Sequence, residues 1–120
     1  MERLVSAWTS GANTFSQPGE RFLGAFSEDR LVGLGGLNRD PYAADPAVGR
    51  IRHLYVNQDC RRRGIGRAIV DRLLGEAIQT FRAVRLRTDS EAAAAFYLRC
   101  GFSPSDDPAA SHGLKFEPRK

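Results

Sequence analysis

Between residues 51 and 68 the chain passes from an alternating apolar run, through Arg61-Arg62-Arg63-Gly64-Ile65-Gly66, into a long amphipathic segment. A strand that delivers the chain to a glycine-rich loop, with a helix leaving it, constrains the fold more than any other feature, because the helix must lay its apolar face back on the sheet that holds the strand. Such a junction suits an anion. Glycines let backbone N–H groups approach without obstruction by a Cβ, and the helix aims the positive end of its dipole at the same place. Arg61, Arg62, Arg63 and Arg67 add charge around it. The glycine spacing is weak evidence alone; the strand before it and the helix after it raise its weight. The Walker pattern is absent, and no Gly-x-Gly-x-x-Gly follows the strand, so nucleoside triphosphates and dinucleotides lose their main support. A different pyrophosphate ligand is wanted.

The rest of the chain alternates strands and helices. The helix predicted over 64–81 repeats apolar residues at Ile65, Ile69, Leu73, Ala77 and Phe81, widened by Val70, Leu74 and Ile78. Alternation over 51–56 predicts a strand with Ile51, His53 and Tyr55 on one face and Arg52, Leu54 and Val56 on the other. Residues 22–26 and 31–37 read as two strands around a hairpin loop, Ser27-Glu28-Asp29-Arg30. Residues 38–49, with Pro41 and Pro46, read as a surface loop long enough to be functional. A short strand is expected over 83–87. Ser90 then caps a helix through Arg99, with Glu91 at its positive end and Gly101 as its left-handed stop. The tail holds strands near Phe102 and over 114–117, separated by a polar loop. At the start, residues 2–8 read as a short helix carrying Leu4, Val5 and Trp8, followed by a Gly, Asn, Ser and Pro-rich connection through Gly19.

Composition bounds the answer. With 120 residues, 42% of them hydrophobic and seven of them Phe, the chain has material for one modest core, so a single domain over 1–120 is expected. The first residues lack a signal-like apolar run, and no window approaches the roughly 18 apolar residues of a membrane span, which predicts a soluble, cytoplasmic protein. Cys60 and Cys100 have no metal-like spacing, so neither a zinc site nor a disulfide framework is expected. The net charge of +4 is concentrated at Arg50, Arg52, Arg61, Arg62, Arg63 and Arg67, a local field rather than a uniformly basic surface.

With these residues in place, the chain resembles the GCN5-related N-acetyltransferase (GNAT) superfamily over about residues 31–116. Arg50-Ile51-Arg52-His53-Leu54-Tyr55-Val56 looks like the family's fourth strand, and Arg61-Arg62-Arg63-Gly64-Ile65-Gly66 matches its acyl-CoA pyrophosphate loop. Ala95-Phe96-Tyr97-Leu98-Arg99-Cys100-Gly101-Phe102 resembles the Phe-Tyr-x-x-x-Gly-Phe signature that closes its second conserved helix. The three in this order are far more specific than any one. The resemblance implies an α/β (α+β) fold with a mixed, largely antiparallel central sheet and helices on both faces, here shortened at its N-terminus, with 1–20 as a short or degenerate cap. It implies acetyl-CoA as co-substrate. The backbone of Leu54, Tyr55 and Val56 would pair with the pantetheine amides, and Arg61, Arg62, Arg63, Gly64, Ile65, Gly66, Arg67 and Ala68 would hold the pyrophosphate. Tyr97 would be the general acid. Many members carry an acidic residue as base in the fourth strand, where Arg52 stands here, and often Asn where Ser90 stands; no base is assigned, and a cofactor contact from Ser90 is carried over by position alone. Because the missing helices wall the acceptor site in the family, the pocket would be open or completed by a second copy, a homodimer joined through Leu4, Val5, Trp8 or an exposed 22–26 edge.

The chemistry agrees. Acyl transfer from a thioester to an amine passes through a tetrahedral intermediate and expels a thiolate, so a proton donor near sulfur helps the leaving group, and a tyrosine hydroxyl suffices. His53 and His112 are further candidates, each read more readily as structural; Asn38, Asp40 and Tyr42 sit where the third strand leaves the sheet, which the resemblance implies is near the acceptor end, in a loop rich in turn formers. Three functions compete: an N-acetyltransferase acting on a small-molecule, protein or peptide amine, a catalytically silent acyl-CoA-binding module, and a basic nucleic-acid-binding protein. The last fares worst, because the arginines crowd one tight loop without interleaved aromatics.

Overall fold

The computed structural model describes residues 2–6, 20–58 and 64–116, the first of these as backbone. Seven strands and two helices follow one another as β1 (Glu2–Ser6), β2 (Arg21–Ser27), β3 (Arg30–Arg39), β4 (Val48–Val56), α1 (Ile65–Ala77), β5 (Ala83–Leu86), α2 (Glu91–Arg99), β6 (Ser103–Pro104) and β7 (His112–Lys115). One sheet takes them in the order β1-β2-β3-β4-β5-β7-β6. Every pairing is antiparallel except β4 with β5. That one parallel pair follows from the connection, since α1 carries the chain back across the sheet before β5 begins.

The expected helix over 2–8 is a strand instead. Glu2–Ser6 pairs along its whole length with residues 23–27 of β2, so the first strand is present and β2 is not an edge. Five residues give helical periodicity little to show, and pairing to a formed hairpin overrides a weak local preference. Trp8 and the connection after it lie outside the described residues. The β2–β3 hairpin closes more tightly than expected, on Glu28 and Asp29 alone, both with positive φ (50° and 69°). This is the backbone twist that two-residue hairpins favour, built without glycine. The expected 38–49 loop is likewise shorter, with β3 running to Arg39 and β4 starting at Val48.

Ile65, Ile69, Val70, Leu73 and Ala77 of α1 bury against the sheet. The helix sits close because glycines underlie it: a Cβ on Gly35 would stand 2.7 Å from Ile69 Cγ2, and one on Gly33 would stand 3.1 Å from Ile65 Cγ2. α2 packs on this same face, with the Phe96 ring beside Gly66 and Gly101 over Leu114. The other face carries Arg50 and Arg85, side by side on β4 and β5, and beneath them the buried Asp40.

Candidate active site

β4 parts from β5 halfway along its length. The register Val48↔Ala83, Gly49↔Val84, Arg50↔Arg85 ends there, while β5 pairs onward with β7 through Leu86↔His112. From Ile51 to Val56, β4 has a described neighbour only on the β3 side. The result is a wedge in the sheet, one wall of which is a strand edge with unspent hydrogen bonds. Asn57 N–H donates to Val32 O on the β3 side at 2.7 Å. Peptide groups alternate between the two edges of a strand, so the groups of Tyr55 turn to β3, where it faces Leu34, and those of Leu54 and Val56 turn into the wedge. Of the three residues predicted to meet pantetheine, two therefore offer open backbone; Tyr55 offers a side chain that is 53% exposed.

The alternation expected in this strand fails at His53. There φ is +58°, and the two β4 residues 53 and 54 face the single residue Gly35. This β-bulge rotates the remainder of the strand by one position. Leu54 and Val56 thereby join Ile51 against the core, and His53 and Tyr55 are exposed. Alternation could not reveal it, because a bulge adds a residue without changing residue type.

At the wedge's open end stands the N-terminus of α1. Gly64 is its N-cap with φ +77°, no side chain caps the helix, and no acidic residue lies in the first turn. Ala68 N–H closes on Gly64 O at 2.9 Å, which leaves the N–H groups of Ile65, Gly66 and Arg67 as the donors that the helix's own bonding cannot use. A Cβ on Gly64 would meet no atom of the described residues within 4 Å. Arg61, Arg62 and Arg63 lie outside the described residues. The Arg67 guanidinium is already engaged: Nε donates to Asp71 Oδ1 at 3.0 Å and Nη1 to Arg99 O at 3.1 Å, tying α1 to the carbonyl end of α2.

Tyr97 is only 7% exposed and meets Phe96 and Phe102 edge-on, with ring centroids 5.2 and 5.7 Å away. Burial, with a smaller contribution from Cys100, pushes its hydroxyl up to about 12. It therefore stays protonated at any physiological pH, which is what a proton donor requires. Ser90 caps α2 as expected, its Oγ accepting from Ala93 N–H at 3.2 Å, and its hydroxyl hydrogen is still free to donate outward.

Sequence reasoning missed the cluster behind this site. Asp40, placed in a solvated loop by its turn-forming neighbours, is 2% exposed. Its Oδ2 accepts from Arg85 Nε at 2.9 Å and Arg50 Nη1 at 3.2 Å, and its Oδ1 from Tyr42 N–H at 2.8 Å. Burial alone would raise the Asp40 carboxyl; the bonds from Arg85, the Tyr42 backbone and Arg50 outweigh it and hold the group below the ordinary carboxylate range. Arg50 also donates to Ala109 O at 2.8 Å, and Arg85 pairs with Asp107 at 3.0 Å. These contacts fasten β4 and β5 together at the point where they begin to part. His112, another candidate, is buried at the start of β7 with Nδ1 2.9 Å from Ser111 Oγ. A cavity of about 1060 Å³ lies at the far end of the sheet, lined by Ile78, Phe81, Leu114 and Phe116 among others, and includes none of the predicted site residues.

Comparison with known proteins agrees with this geometry. No curated protein matches the sequence. Among solved structures, a candidate acetyltransferase from Exiguobacterium sp. 255-15 is 32% identical with a TM-score of 0.76, over 84% of this chain and 66% of that one. Rv2747 from Mycobacterium tuberculosis, solved in complex with CoA, is 31% identical with a TM-score of 0.60, over 71% of this chain and 49% of that one. A candidate streptothricin acetyltransferase from Bacillus anthracis in complex with acetyl coenzyme A shares the fold at 18% identity and a TM-score of 0.69, over 84% of this chain and 65% of that one. The chain thus spans about two thirds of the first and third of these structures and half of the second. The acetyltransferase (GNAT) family pattern matches residues 2–102, from the first strand through the aromatic end of α2, and the chain belongs to that family.

Proposed function

We propose that the chain is an acetyl-CoA-dependent N-acetyltransferase with Tyr97 as general acid. The observation that carries this reading is the parting of β4 from β5 directly ahead of an uncapped helix N-terminus: the open backbone of Leu54 and Val56 suits the amides of a pantetheine arm, and the N–H groups of Ile65, Gly66 and Arg67 suit its pyrophosphate. The acetyl complexes and CoA complexes of structural relatives support the same ligand. In the reaction the amine nitrogen attacks the thioester carbonyl, the C–N bond forms and the C–S bond breaks. The thiolate takes the Tyr97 proton, and the amine's proton returns to tyrosine through solvent. Arg61, Arg62 and Arg63 belong to the proposal as mobile positive charge near the pyrophosphate, and Ser90 as a donor beside the wedge.

A silent acyl-CoA-binding module would share every binding feature and differ only in turnover. Titrating acetyl-CoA by calorimetry and following free thiol over a panel of amines and peptides separates the two; absence of CoA binding would overturn both. No described helix is long and apolar enough to cross a membrane, and a cytoplasmic site of action is part of the proposal. So is a single functional unit over 1–120. A homodimer joined through the sheet would use β1 rather than β2 as its edge, since β2 is covered. Light scattering that returns one 13.2 kDa chain at all micromolar concentrations would exclude it.

A further inference from the structure

We infer that the acceptor amine carries an anionic group and that Arg52 receives it, on the sheet face opposite the two helices. The inference rests on the acyl-CoA reading above. Arg52 lies two residues beyond Arg50, the last residue of β4 paired to β5, and shares its face, since the bulge comes later at His53. It therefore stands at the mouth of the wedge, where an acyl group threaded from the helix side would emerge. Arg50 and Arg85 share the carboxylates of Asp40 and Asp107, and Arg52 follows Arg50 on the same face of β4. Both carboxylates are taken by Arg50 and Arg85. Among the described residues Arg52 has no ion-pair partner, and its buried Nε has no acceptor.

The described neighbours offer that charge no carboxylate. Directly across on β3 is Gly36, which has no side chain, and the next residue on that face is Asn38, across from Arg50. Asn38 Oδ1 is likewise buried without a donor. A buried donor and a buried acceptor left unpaired each cost about 1–3 kcal/mol, so a fold keeps two such neighbours only where something else satisfies them. A single ligand can satisfy both: an amine whose N–H reaches Asn38 Oδ1 and whose carboxylate or phosphate lies along the Arg52 guanidinium, a planar fork suited to a two-oxygen anion. The same contacts would hold the nitrogen at the mouth of the wedge.

The test compares matched amines on the full chain with saturating acetyl-CoA, following released thiol: the L-amino acids against their amides, and glucosamine 6-phosphate against glucosamine. The expected result is a preference of about tenfold or more in kcat/KM for the anionic member of one pair type, which identifies the anion as carboxylate or phosphate. Arg52→Gln should raise KM for that member by about 10- to 100-fold, the range for a lost charged hydrogen bond, while KM for acetyl-CoA and turnover of the neutral partner stay within about twofold. Arg52→Lys should recover only part of the loss. Equal use of anionic and neutral amines, equal damage to both by Arg52→Gln, or no anionic amine turned over or bound by a chain that binds acetyl-CoA would each overturn the inference. Calorimetry with acetyl-CoA alone keeps the two readings apart: no binding there defeats the acyl-CoA reading, and binding without anion preference defeats only this one.

Discussion

The two halves of β4 are built from similar residues and do opposite work. From Val48 to Arg50 the strand is paired on both sides and buried, and Arg50 is bonded to Asp40 and to Ala109 O. From His53 to Val56 it is paired on one side, partly exposed, and keeps backbone groups open. The halves differ in what their neighbours do: β5 leaves, and a bulge turns the strand. A sheet thus becomes a binding edge by losing one partner while the other half stays clamped, and the clamp is what keeps the open half from closing. If so, damage to the clamped half should appear as lost stability, and damage to the open half as lost binding or turnover.

The largest effect is expected in the clamp. Asp40→Ala leaves Arg50 and Arg85 buried without their shared carboxylate and should cost about 3 kcal/mol in denaturant unfolding, the low end for a broken buried pair because Ala109 O and Asp107 still take one bond from each arginine. Acetyl-CoA affinity of the folded fraction should change little. Acid tests the same contact. The Asp40 carboxyl is held below its ordinary value, so its contribution is full at neutral pH and is lost as pH falls below about 4, the unfolded value, through the lower native one. The stability difference between wild type and Asp40→Asn should shrink over that interval; a constant difference would remove Asp40 from the clamp.

Tyr97, the proposed general acid, tests turnover apart from stability. Tyr97→Phe removes only the hydroxyl and keeps both edge-on ring contacts, so stability and acetyl-CoA binding should hold while kcat falls roughly 10²-fold. With the hydroxyl pushed up to about 12, its ionisation should cause no alkaline loss of kcat in wild type below about pH 11. Equal turnover by the two proteins would return Tyr97 to a packing role.

How far the sequence showed these halves follows from the range of the forces involved. The loop at Gly64, the stripe on α1, the Ser90 cap and the Gly101 stop are local, and local rules found them. Residues 2–8 read as a helix because the partner of Glu2–Ser6 lies about twenty residues on, and Asp40 reads as part of a surface loop because Arg50 and Arg85 reach it only in the folded sheet. The run Gly33-Leu34-Gly35 on β3 carries a signal of long range: two glycines two apart in a strand mark where α1 must approach. The bulge at His53 leaves no mark in composition at all.

Next in size is the phosphate end. Gly64 holds φ +77°, so Gly64→Val fails through backbone strain at the cap and through a branched side chain in the anion's path. Acetyl-CoA affinity should fall about tenfold or more by calorimetry. Gly66 is the control. Its Cβ would touch Phe96 and Val56 at 3.4 Å, an ordinary contact distance, so Gly66→Ala should weaken binding less than Gly64→Ala does. The reverse order would move the anion away from the cap.

The smallest effect lies at the boundary between the halves and is the most direct test of it. His53 occupies the left-handed region at φ +58°, which glycine enters freely, histidine tolerates and a β-branched residue resists. His53→Gly relieves that cost but adds freedom to the unfolded chain, two terms of about 0.5–1 kcal/mol that oppose each other, so unfolding free energy should stay within about 0.5 kcal/mol and acetyl-CoA affinity should not change. His53→Val must either hold the strained conformation or lose the bulge. Losing it would slip β4 by one residue beyond Arg52, turning Leu54 and Val56 away from the core and exchanging which peptide groups face the wedge. The valine variant should therefore lose about 1–2 kcal/mol of stability together with acetyl-CoA affinity, where Asp40→Ala costs stability and leaves affinity nearly unchanged. A valine protein that matches the glycine one in both measurements would mean that the bulge does not set the open half of β4.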